Sequence, residues 1–149
     1  MKSLQAKLGT PDLKLSGLQI WIHNRQFPNT NDYWDGNWLD VTVHCGALNS
    51  SVWTSGTIIH LSEIADWLKD VEAMESSLQG EASLACMEPQ LGVTLKAKNL
   101  GHISMVIDIT PDILSQSHQF TFEIDQSYLP PFIRSCRTIL QHYPLKGQP

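Results

Sequence analysis

Positive charge is what this sequence is short of: ten Lys and Arg stand against fifteen Asp and Glu, a formal net charge of −5 over 149 residues. A protein that gains affinity by releasing counterions from phosphates needs the opposite balance, so no nucleic-acid partner is expected. Long apolar runs are missing too. Nothing approaches the roughly 20 residues of a membrane-spanning helix, and no signal-peptide-like apolar stretch precedes Pro11, so no membrane partner is expected either. Cysteine is sparse: Cys45, Cys86 and Cys136 are odd in number, far apart and set in apolar-patterned segments. Such thiols are usually buried in a reducing compartment, which makes the cytoplasm the expected location.

Catalytic patterns are equally scarce. His23, His44, His60, His102, His118 and His142 show no HxH, HExxH or CxxC-type spacing, and the chain has no GxSxG elbow and no Gly-rich phosphate loop. His44 and Cys45 are neighbours, but adjacent residues of a strand point to opposite faces and cannot share a metal or pair as base and nucleophile. Asp32 and Asp35 read as loop-shaping residues, Asp35-Gly36 being a strong turn signal, rather than an acid–base pair. No catalytic residue, cofactor or metal is expected, and the chain is read as non-enzymatic.

What the sequence does carry is β-pattern. Leu18, Ile20 and Ile22 alternate with polar or aromatic residues, and Leu39, Val41, Val43 and Cys45 alternate against Trp38, Asp40, Thr42 and His44. A strand over residues 51–59, with Gly56 as a bend or bulge, follows. Further strands are expected at 81–87, 91–97, 103–109 and 118–124. Two amphipathic helices, near 62–76 and 128–143, take Ser62 and Ser127 as caps. Pro130 and Pro131 suit the first turn of the second helix, and Pro144 stops it. Short connections between successive strands favour antiparallel pairing. The reading is an α+β fold, mainly antiparallel, as a curved sheet or two-layer sandwich of about seven strands with two helices. It forms one domain over 1–149, with loosely held ends at about 1–12 and 145–149.

Two surface features stand out. Tyr33 and Trp34, with Trp38 and Trp53 and with Trp21 near by, lie in or beside a long polar loop, where aromatic side chains anchor partners or fold over the sheet as a lid. On the first helix, Glu63, Asp66 and Asp70 belong to an acidic run from 63 to 81 balanced only by Lys69, a negative surface able to steer a basic partner. Tyr33, Trp34, Glu63, Asp66 and Asp70 are therefore the candidate partner-binding residues. A ligand or enzymatic site under the aromatic loop 27–38, and self-association as a structural subunit or homodimer, stand as alternatives.

Taken together, Asp35-Gly36-Asn37-Trp38-Leu39-Asp40-Val41-Thr42-Val43, Leu61-Ser62-Glu63-Ile64-Ala65-Asp66-Trp67-Leu68, Glu88-Pro89 before Leu91-Gly92-Val93-Thr94-Leu95, Gly101-His102-Ile103, and Phe120-Thr121-Phe122-Glu123-Ile124 running on to Leu129 form a pattern. It resembles the WapI-type immunity proteins, small bacterial antitoxins, from about Leu18 to Pro144. The resemblance implies a protein that binds and occludes a toxin domain and brings no catalytic residues of its own.

Overall fold

Residues 7–149 are described by a computed structural model, in which the strands form two four-stranded antiparallel meanders. The first sheet runs β1 (Leu13–Leu15), β2 (Leu18–Arg25), β3 (Trp38–Ala47) and β4 (Ser50–His60), with the short helix α1 (Tyr33–Gly36) between β2 and β3. Helix α2 (Leu61–Ser77) then leads to the second sheet, β5 (Glu81–Ala85), β6 (Leu91–Ala97), β7 (His102–Ile109) and β8 (Gln119–Asp125), and α3 (Leu129–His142) closes the fold. The α+β reading holds. The strand it lacked is β1, whose three residues are too few to show a period.

Period-2 alternation sends Leu39, Val41, Val43 and Cys45 of β3 inward, each no more than 1% exposed. The inner faces of both sheets and the apolar stripes of α2 and α3 join in one buried cluster. Trp67 of α2 is fully buried and meets Phe132 of α3 edge to face at 4.6 Å. At the other end of the core Gly17, in the β1–β2 turn, lies against the Gly46 carbonyl and the Phe122 ring, where a Cβ has no room.

Local details depart from the sequence reading in ways chemistry explains. The bulge in β4 falls at Ile58, not Gly56: Leu39 pairs with Ile59 and Asp40 with Thr57, so the extra residue lets Ile58 and Ile59 both turn inward. The cap of α2 is His60, not Ser62. Its Nδ1 accepts the Ser62 N–H at 3.3 Å while Glu63 reaches back to the His60 N–H, a capping box built with imidazole. Ser127 is no cap either: it lies in a 3₁₀ turn (Gln126–Tyr128) whose capping acceptor is Asp125, with α3 beginning two residues later.

Just past Pro144 the chain bonds back to the loop between β2 and β3. Lys146 Nζ donates to the carbonyls of Pro28 and Thr30 at 2.8 and 2.9 Å, and its backbone N–H bonds Asn37 Oδ1 at 2.9 Å. At the other end Trp21 Nε1 bonds the Gly9 carbonyl at 3.0 Å, and Asp12 accepts the Ile22 N–H at 2.7 Å. Positions 1–6 of the expected loose N-terminal end lie outside the described residues.

Candidate partner-binding face

The loop between β2 and β3 is built around Asp32, whose Oδ2 accepts the backbone N–H of Trp34 (3.1 Å) and Asp35 (2.9 Å) and so caps α1. Asp32 thus shapes the loop, as its type and position suggest. That single turn carries Tyr33 and Trp34. Below it, Asn37 is fully buried and bonds the Tyr33 and Lys146 carbonyls through Nδ2 at 2.7 and 2.9 Å. Arg25, almost wholly buried, donates to the Gly36 carbonyl at 2.7 Å, to Asn37 Oδ1 at 3.2 Å and to the Pro144 carbonyl. The C-terminal segment therefore holds the loop from behind, through bonds spanning more than 100 residues.

On this footing Trp34 is 52% exposed, packed edge-on to Tyr33 (5.0 Å) and tilted over His60 (5.8 Å). His60 is fully buried and also meets Trp38 edge to face at 5.1 Å. Its Nε2 donates to the Tyr33 carbonyl at 3.2 Å, so one histidine joins the aromatic loop to the first turn of α2. Trp21 and Trp53 do not join this group. They stack on each other at 5.7 Å on the outer face of the first sheet, where Trp53 also packs on His44 at 4.2 Å. The aromatic residues gathered in the sequence thus divide into two clusters, and the one that exposes a large ring is Tyr33–Trp34.

Along α2 the acids part company. Asp66 and Asp70 are exposed, and among the described residues neither has an ion-pair partner. Glu72 is taken by Arg137 at 3.0 Å, and Glu81 by Lys96 at 3.8 Å. Glu63 is a correction to the sequence reading. It is 8% exposed, and its two carboxylate oxygens accept the N–H groups of His60 and Met87, both at 2.7 Å. Burial pushes its pKa up, against the opposing pull of those two bonds. The signal was present in the sequence: a Glu three residues after the cap position is the far half of a capping box. Ser62, Asp66 and Asp70 follow one another at i, i+4 spacing, so the two unpaired acids share one face of the helix whose cap, His60, lies under Trp34.

The rest of the molecule offers less chemistry. An open groove of ≈ 1120 Å³ lies between β1 and the start of α3, walled by Lys14, Gln19, Tyr128 and Ser135 among others. A smaller one of ≈ 590 Å³ sits beside the loop, formed by residues 26–30 and Asp35, and neither Tyr33, Trp34 nor Trp38 lines it. Among the described residues no group of three His, Cys, Asp or Glu is arranged to hold a metal, and no helix is long and apolar enough to cross a membrane. All three cysteines are unpaired; burial lifts Cys45 and Cys136 to about 12 and Cys86 higher still, so none has thiolate character.

The α+β scaffold thus exposes a tryptophan held on buried His60 and, on the helix that His60 caps, two carboxylates without an ion-pair partner among the described residues. The sequence bears out a specific membership: it matches the immunity protein WapI-like family over residues 12–144, and the chain belongs to that family. The match begins at Asp12, the residue that accepts the Ile22 N–H, and ends at Pro144, whose carbonyl accepts Arg25. Neither the curated proteins nor the solved structures give a match.

Proposed function

We propose that this protein is an immunity protein that binds a cognate toxin domain and neutralises it by covering its active surface, with Tyr33, Trp34, Asp66 and Asp70 forming the contact face. The observation that carries the assignment of the face is the half-exposed Trp34 ring held on buried His60, which itself caps the helix bearing the unpaired acids. A pre-organised aromatic costs little entropy to bury and suits a hot spot. The carboxylates give the face a negative potential, so the toxin surface it fits is basic. Family membership supports the immunity role, and three unpaired thiols suit action in the cytoplasm.

Expression of a candidate toxin domain, chosen because it binds this chain, tests the reading. Co-expressed wild-type chain restores growth, whereas Trp34→Ala with Asp66→Lys and Asp70→Lys fails to do so at equal protein level. Full protection by that triple variant would remove the face from the account; no protection by the wild type would remove the immunity role against that toxin.

A further inference from the structure

The longest strand of the first sheet is also its edge. β4 pairs with β3 on one side, and among the described residues no backbone group of β4 bonds another strand on the other. Its eleven residues, Ser-Ser-Val-Trp-Thr-Ser-Gly-Thr-Ile-Ile-His, contain no Lys, Arg, Asp, Glu or Pro, the residues with which edge strands usually repel a further strand. The register fixes which groups face outward. Ala47 and Ser50 close the two-residue hairpin as a hydrogen-bonded pair, so bonded pairs to β3 recur at Val52, Thr54 and Gly56. The N–H and C=O of Ser51, Trp53, Ser55 and Thr57 therefore point away from β3. Nearby hydroxyls leave those groups unserved, because each turns back onto β3: Ser51 to His44 at 2.6 Å, Ser55 to Thr42 at 2.9 Å and Thr57 to Asp40 at 2.6 Å.

We infer that β4 is a self-pairing edge, which joins a second copy of this chain antiparallel about a two-fold axis at Thr54. In that register Trp53 lies opposite Ser55 of the copy and Ser51 opposite Thr57, so all four outward-facing residues find partners in the same four of the other chain. Val52 falls opposite Gly56, and no like charges meet although each chain carries −5. The hairpin tip, where Leu48 is 90% exposed, comes against the His60 end of the copy's β4, so an otherwise bare aliphatic side chain gains cover. That end adjoins Trp34, so self-pairing and toxin binding compete for overlapping surface. The inference does not rest on the toxin reading.

Sedimentation velocity of the purified full-length chain, from micromolar to millimolar concentration, tests it. The wild type shifts with concentration from 16.7 kDa toward twice that mass. Ser55→Pro removes an outward N–H without touching a bonded pair to β3 and stays at the lower mass, with unchanged far-ultraviolet circular dichroism. Should that variant misfold, Ser55→Lys takes its place, since a lysine on the edge blocks pairing while leaving every backbone bond intact. A wild type that remains at 16.7 kDa throughout, or a folded edge variant that associates as the wild type does, overturns the inference.

Discussion

Glu63→Ala separates an acid that belongs to the fold from acids that belong to a surface. The substitution strips the acceptor from two backbone N–H groups, those of His60 and Met87. His60 is fully buried, so its orphaned N–H costs about 1–3 kcal/mol. Met87 is 56% exposed, and water replaces most of what is lost there, leaving at most about 1 kcal/mol. Removing a carboxylate whose charged form is penalised by burial returns a little. The net expectation is a loss of about 2–3 kcal/mol. At an m value of about 2 kcal/mol per M urea, the midpoint of a urea titration drops by about 1–1.5 M with m unchanged. Asp66→Ala, on the same helix but exposed, moves stability by no more than about 0.5 kcal/mol. If Glu63→Ala were as mild as Asp66→Ala, the capping box would not be holding the start of α2, and Glu63 would return to the partner-facing acids.

Leu68→Ala removes a side chain that is 7% exposed on the inner stripe of α2 and lowers unfolding free energy by about 2–5 kcal/mol in the same titration; a loss below about 0.5 kcal/mol would mean the helix register is wrong. The raised pKa of Glu63 also has a sign. The unfolded chain loses this proton first, so as pH rises above the ordinary 4.5 the folded state holds more protons than the unfolded, and stability from this group, complete below that pH, falls through the window up to the native pKa. Thermal melts of the wild type and Glu63→Gln across that window show the wild-type advantage shrinking with pH; a constant difference between them contradicts the burial.

Much of the fold was legible because it depends on period alone. Leu39, Val41, Val43 and Cys45 alternate so cleanly that strand, face and burial follow together, and Ile64, Trp67, Leu68, Val71 and Met74 declare the inner stripe of α2. What escaped depends on geometry that residue type does not encode. Serine is the commoner cap, yet the bulge at Ile58 delivers His60 to the cap position, and Nδ1 serves as well as a hydroxyl. In the candidate site, Trp34 on a polar loop and Asp66 and Asp70 off the apolar stripe were readable as surface. The footing under Trp34 was not, because Arg25, Asn37 and Lys146 meet only after the two ends of the chain are brought together. Glu63 was half legible: it stands three residues after the cap, as a capping box requires, but that cap is His60 and not Ser62, and the Met87 N–H it also accepts lies 24 residues away, beyond β5.

Surface plasmon resonance against an immobilised toxin domain that this chain binds, at low and high salt, is the most direct test that the Trp34 face binds a basic partner. Asp66→Lys with Asp70→Lys is expected to slow association by about tenfold or more at low salt, with the gap closing as salt screens the charges. Trp34→Ala is expected to leave association nearly unchanged and speed dissociation by about 30-fold or more, the loss of a hot spot worth at least about 2 kcal/mol. Association and dissociation rates unchanged in both variants at both salt concentrations would place the binding face elsewhere on the molecule.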